Sequence, residues 1–261
     1  MNAPGYYFMK MHQERSYVIA LENADNVNGM YIDVEKNGCS FRNYKDLLLL
    51  GAIDQRTGEN EKGGCYDKLR KIAKDLYPNS KEKYHWSSQD CMTIDKIPYI
   101  GKYSEQTPNV YVATGFNKWG MTSSMVSAMI ISDMILDKEN DFSEIFSPKR
   151  FDLSLSIGNI ANDMIETAKN FIAQKIYIPS SKIEHIKNGH AGIVEYNDEK
   201  IGVYKNNDGK EFIVSTKCPH LGCQLGWNAD ELTWDCPCHG SRFDYKGRLI
   251  GSPATKDLID N

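Results

Sequence analysis

CPHLGC, from Cys218 to Cys223, and CPCHGS, from Cys236 to Ser241, decide how the last quarter of this chain is read. They set four metal-binding side chains, Cys218, His220, Cys236 and His239, in the order Cys-x-His … Cys-x-x-His. One further cysteine, Cys223 or Cys238, lies inside each loop. Two thiols and two imidazoles suit a tetrahedral zinc ion, and the interleaved order leaves that reading open. Haem attachment is disfavoured: it requires Cys-x-x-Cys-His, and residues 236–239 offer only Cys-x-Cys-His. The remaining reading is a two-iron cluster in which cysteines hold one iron and histidines the other.

The flanking sequence frames these loops. GIVEY (192–196), IGVYK (201–205) and EFIVS (211–215) read as short strands joined by Asn-, Asp- and Gly-containing turns, hence a small antiparallel β domain over 183–261. Taken with its second cysteine pair, CPHLGC … CPCHGS resembles the Rieske proteins of respiratory and photosynthetic cytochrome bc complexes. The resemblance implies a [2Fe–2S] cluster with Cys218 and Cys236 on the inner iron and His220 and His239 on the outer, solvent-side iron. It also implies a Cys223–Cys238 disulfide joining the loops and a Ser241 hydroxyl donating to a bridging sulfide. GSPA (251–254) resembles the proline-containing loop that covers such clusters. Phe243 stands where the respiratory proteins usually carry a tyrosine that donates to a ligand cysteine. The expected potential is therefore below the top of the Rieske range of about −150 to +300 mV. Trp227 and Trp234 read as packing residues.

Upstream, SYVIAL (16–21), GMYIDV (29–34) and DLLLLGA (46–52) read as strands, and residues 66–77 as a helix stopped by Pro78. VYVAT (110–114) reads as a short buried strand. A helix follows, whose Met121, Met125, Val126, Met129, Ile130 and Ile135 read as a core stripe. Another amphipathic helix is expected over 156–176, then a Pro-Ser linker near 178–182. Cys39, Cys65 and Cys91 read as small buried hydrophobes.

YHWSSQDCMTIDKIPYIGKYSEQTPNVYVATGFNKWGMT (84–122) resembles the C-terminal half of the glycine and D-amino-acid oxidase family of flavoproteins. The resemblance implies that Gly115, Phe116, Gly120, Met121 and Thr122 lie against a flavin. FAD-binding members also need a strand–GxGxxG–helix unit for the pyrophosphate. No GxGxxG occurs in this sequence, so FAD is not expected to be held by this chain alone. The chain reads as the downstream part of such a flavoprotein, completed by a missing N-terminal FAD-binding half or by a redox partner protein. Asp90 and Asp95 read as turn residues, and no catalytic acid or base is assigned.

The expected fold class is α+β: a partial flavin-oxidoreductase-like α/β module with helices over 1–150, a helical segment and linker over 151–182, and the Rieske-like β domain over 183–261. At 261 residues, 41% hydrophobic, the chain can bury two cores, and its net charge of −4 gives no general attraction to nucleic acid. No apolar run is long enough to span a bilayer, Met129–Ile135 being interrupted by Ser132 and Asp133. MNAPGYYFMKMHQ lacks the pattern of an export signal, so a cytoplasmic location is expected. The expected function is electron transfer, with the flavin-type module taking electrons from an amine or amino-acid-like substrate and passing them to the cluster. A stand-alone electron carrier or redox sensor with a non-catalytic oxidase-like scaffold competes with it. A Rieske oxygenase is disfavoured, since no histidine follows His239 to build a second iron site.

Overall fold

The structure is a computed structural model that describes residue 7 and residues 10–35, 38–150 and 183–258. The helix expected over 156–176 and the linker after it lie outside the described residues. Those described within Met1–Gln13 and Asp90–Lys169 form one compact unit, and those within Glu14–Gln89 and Asn170–Asn261 form another. The division falls inside the segment read as a single flavoprotein-like module: Glu14–Gln89 shares a unit with the C-terminal β domain.

In that shared unit, β1 (Met11–Glu22), β2 (Tyr31–Ile32), β3 (Ser40–Tyr44), β4 (Leu47–Arg56) and β5 (Lys81–Thr93) make a sheet in the order β2-β3-β4-β1-β5. β4 is hydrogen-bonded on both edges, which is why LLLLGA is a continuous apolar run. Its Leu48, Leu50 and Ala52 alternate onto one face with Tyr17, Ile19 and Leu21 of β1, while Leu47 and Leu49 face the other side. The first face is covered by α1 (Cys65–Leu76) through Cys65, Tyr66, Leu69 and Ala73. Of the lone cysteines, Cys65 alone is fully buried, and Cys39 and Cys91 are half-buried.

α1 has no side-chain cap of its own. The Asp230 carboxylate, far along the chain, accepts hydrogen bonds from the Gly64 amide (3.0 Å) and the Cys65 amide (2.9 Å). Anionic oxygen at a helix N-terminus satisfies orphan amides and the positive end of the dipole. Asn60 adds a bond to Asp230 at 2.8 Å and one to Asn228 at 3.0 Å. Nearby, the fully buried Asp235 accepts from Arg242 Nε (3.0 Å), Thr233 Oγ1 (2.8 Å) and Asn228 Nδ2 (3.0 Å). Strand segment and β domain thus share a satisfied buried polar network, which fixes position at little net gain in stability.

The β domain has two small antiparallel sheets. One is β8 (Ala191–Tyr196), β9 (Glu199–Lys205) and β10 (Glu211–Ser215), with β9 central. The other runs β11 (Gly226–Asn228), β12 (Thr233–Asp235), β13 (Arg242–Asp244), β14 (Leu249–Gly251). Trp234 and Phe243 are wholly buried between them with Trp227, Tyr204 and Leu225, the two tryptophan rings 4.9 Å apart. Both tryptophans are therefore core residues.

In the other unit, β6 (Tyr99–Ser104) and β7 (Thr107–Thr114) form a hairpin against which α2 (Gly120–Ile135) packs. Two expectations are corrected here. VYVAT is not a buried strand: no residue of β7 is buried, because a two-stranded ribbon covers little of its own surface. Nor is the methionine stripe a core stripe. α2 buries Ser123, Ser127 and Ile130, and leaves Met121 87% exposed with Met125 and Met129 also outward. α2 is apolar nearly all round, so periodicity alone cannot choose its buried side.

Candidate metal centre

The two cysteine loops follow β10 and β12 and have the same backbone construction. In the first, the Cys218 amide donates to Cys223 O (2.8 Å) and the Gly222 amide to Cys218 O (2.8 Å). In the second, the Cys236 amide donates to Ser241 O (2.8 Å) and the Gly240 amide to Cys236 O (2.9 Å). Gly222 and Gly240 turn at φ +78° and +80°, a region open to glycine at little steric cost. The turns bring Cys218, His220, Cys236 and His239 together.

The imidazole rings of His220 and His239 are 4.9 Å apart between centroids and nearly perpendicular. Each ring is partly exposed, yet its Nδ1 atom is buried. The Nδ1 nitrogens thus face the interior, and the exposed parts of the rings face solvent. Burial holds both histidines below their ordinary pKa, His239 at about 4 with the neighbouring His220 adding to the effect. Both are neutral at physiological pH, the form that binds metal.

The Cys218 and Cys236 thiols lie close enough to interact through a hydrogen bond. It is the main cause that lowers Cys218 to about 6, against burial, with help from the His220 amide, the Ser241 hydroxyl and the Leu221 amide. The same bond, with burial, pushes Cys236 far up, while the His239 and Cys238 amides favour its thiolate. Amides aimed at both sulfurs suit anionic thiolates and soften the electron density on a bound cluster. Ser241 is also fixed by the Ala254 amide, which donates to its hydroxyl (2.9 Å), so the end of the GSPA stretch meets the second loop.

Cys223 and Cys238 are joined by a disulfide. The sulfurs of Cys223, Cys236 and Cys238 lie within 4.8 Å of one another. The disulfide occupies two of them and leaves Cys236 as the available ligand. Two thiols, two neutral imidazoles with buried Nδ1 atoms and a ring of amide donors fit a [2Fe–2S] cluster with mixed ligands.

Residues 1–134, just over half of the chain, match the family model described as FAD dependent oxidoreductase, and residues 177–260 match the Rieske [2Fe-2S] domain. The chain belongs to the FAD dependent oxidoreductase family. It also carries a Rieske domain, whose cofactor is a [2Fe–2S] cluster. YhfW of Bacillus subtilis (strain 168), named for a Rieske 2Fe-2S centre, is 38% identical over 260 residues, covering 97% of this chain and 51% of that protein. The cytochrome b6-f complex iron-sulfur subunit of Synechococcus elongatus is 30% identical over 99 residues, covering 38% of this chain and 50% of that subunit. The chain thus spans about half the length of the curated relatives it matches. Glycine oxidase from Geobacillus kaustophilus superposes with a TM-score of 0.48 at 19% identity, over 55% of this chain and 40% of that one.

The flavin-facing positions implied by the sequence, Gly115, Phe116, Gly120, Met121 and Thr122, lie around the start of α2 in the other unit. Helix α2 has no side-chain cap there, and Gly120, Met121 and Thr122 are exposed. Gly115 is explained by its own neighbours: a Cβ would meet Thr93 Cγ2 at 2.2 Å. The Gly63–Gly64 helix start, the one other glycine-rich turn before a helix, gives its amides to Asp230. Asp95 is tied to Arg150 by two hydrogen bonds, 2.8 and 3.1 Å, in keeping with a structural role.

Sequence reasoning missed Asn60, Asp230, Thr57 and Gln89, which hold the cluster domain against the strand segment. They are isolated polar residues with no ligand spacing, so nothing in the sequence marked them. Among the described residues, no helix is long and apolar enough to cross a membrane.

Proposed function

We propose that this chain is the electron-transfer component of an oxidoreductase acting on an amine or amino-acid-like substrate, with Cys218, His220, Cys236 and His239 holding its cluster. The cluster supplies one-electron chemistry at a potential raised by its imidazole ligands. The chain's residues supply the rest. Amides of the two loops and the Ser241 hydroxyl stabilise negative charge at the sulfurs, the disulfide holds the loops in register, and Trp227, Trp234 and Phe243 exclude water behind them. The observation that supports this reading is the pair of buried Nδ1 atoms, carried by the same two loops as the buried thiols of Cys218 and Cys236.

Residues 1–150 serve in this reading as the downstream part of the flavoprotein module, 151–182 as the connection and 183–261 as the cluster domain. The substrate class rests on the family resemblance. A separate FAD-binding half is the proposed partner; the exposed Met121, Met125 and Met129 offer it an apolar surface. A second redox partner would meet the first loop, where Pro219, Leu221 and Gly222 are exposed beside His220. Unpaired thiols at Cys39, Cys65 and Cys91 accord with a cytoplasmic location.

Iron, sulfide and zinc analysis with EPR of the reduced chain tests the cluster: two irons per chain and a mixed-ligand [2Fe–2S] signal are expected, and a colourless protein with stoichiometric zinc would refute it. The competing non-catalytic carrier is separated by adding FAD and the missing half. Substrate-dependent bleaching of the cluster supports the proposal, and its absence supports the carrier.

A further inference from the structure

The strand segment reaches the cluster loop itself. Gln89, on β5, donates from Nε2 to the carbonyl of Gly240 at 3.0 Å, next to ligand His239. Its other end accepts from the Thr57 hydroxyl at 3.1 Å, and Thr57 is fully buried. The amide orientation is determined by chemistry, because a carbonyl can only accept and must meet the NH2 end. Beside it, Gly58 (φ +86°) comes so close to the second loop that a Cβ would lie 2.8 Å from Pro237 N. All of these residues belong to one compact unit, and of them Gln89, Thr57 and Gly58 lie outside the Rieske domain.

We infer that Gln89, aimed by Thr57, is a positioning residue for the second cluster loop and raises the reduction potential of the cluster. The hydrogen bond fixes the Gly240–Ser241 peptide, and with it the His239 ring and the Ser241 hydroxyl. The positive end of the Gln89 amide dipole favours the state carrying the extra electron. The strand segment thereby adjusts a cofactor held by another domain.

This inference rests on the ligand set proposed above. It is tested by potentiometric EPR titration of iron-loaded full-length Gln89→Leu and Gln89→Glu. Leucine removes the donor, and glutamate replaces it with an anion that repels the carbonyl. The midpoint should fall in the first and further in the second, each by a several-fold change in the reduction equilibrium (tenfold is about 59 mV for one electron), with an altered EPR line shape. A purely structural Gln89 would lower iron content and melting temperature and leave the potential of the loaded fraction unchanged. Should Gln89→Leu lose its iron, Thr57→Val gives the same reading with a smaller fall. Wild-type midpoints in the loaded variants overturn the inference. A wild-type chain without a [2Fe–2S] signal overturns the ligand assignment instead.

Discussion

The two cluster loops share one backbone design and differ in what surrounds them. Each closes on itself through a paired set of amide–carbonyl bonds and a glycine at positive φ. The first leaves Pro219, Leu221 and Gly222 in solvent, whereas the second has Pro237, Cys238, Gly240 and Ser241 buried. Gln89 and Gly58 press on the second, and nothing comparable from Glu14–Gln89 touches the first among the described hydrogen bonds. One loop is anchored and the other is presented. A cluster held this way has a rigid side that fixes its energy and an accessible side through which an acceptor can approach.

The disulfide is the bond by which the anchored loop steadies the presented one. Replacing both Cys223 and Cys238 with alanine should lower stability by about 3 kcal/mol, the chain-entropy value for its 15-residue separation. Denaturant titration of the loaded protein measures this. Iron should also be lost faster from the variant, since the disulfide is the covalent tie between the two loops; unchanged stability and iron retention would show both loops to be independently held.

Asp230 tests the anchoring of the second side. Asp230→Ala removes the cap of α1 and should cost about 1–2 kcal/mol in thermal or chemical unfolding. Burial raises the Asp230 pKa, but hydrogen bonds from Asn60, Cys65 and Gly64 outweigh it and hold the carboxyl below its usual value. Its stabilisation is therefore complete above the unfolded pKa of about 3.9 and fades as pH falls through the lower folded value. Of the titratable groups nearest it, the Cys65 thiol (raised to about 12) and the buried Tyr17 are uncharged in that window. The stability gap between wild type and Asp230→Asn should be constant near neutrality and shrink below about pH 4. A gap that widens in acid would contradict the assignment.

The smallest effect sharpens the anchored side's control of energy. Phe243, fully buried on β13, can be given the hydroxyl it lacks. Phe243→Tyr should raise the midpoint by about 40 mV, the one-electron equivalent of a hydrogen bond worth about 1 kcal/mol more in the reduced state. Voltammetry showing no rise would remove Phe243 from the account of the potential.

The cluster site was legible because its chemistry demands rare residues at fixed spacing. The Cys223–Cys238 pair could be named, and the strands 192–196, 201–205 and 211–215 fell where alternation and turn residues put them. The short strands β11–β14 were not legible: three residues are too few to show a period, and they are held by Trp234 and Phe243 packing. The α2 methionines misled because spacing reports a helix and not its buried side. Ser123 and Ser127, which face the sheet, look in the sequence like solvent-exposed residues. The contacts of Gln89, Asn60 and Asp230 were invisible because each joins partners more than 150 residues apart.

The distance between α1 and its cap has a consequence for biosynthesis. Asp230 follows Cys65 by 165 residues, so the helix emerges with its leading amides bound only to water. At roughly 5–20 residues per second, ribosomes supply the missing carboxylate on the order of ten to thirty seconds later. Helix α1 cannot acquire its cap until the iron-binding tail has been translated, which ties the maturation of the two ends of the polypeptide together in time.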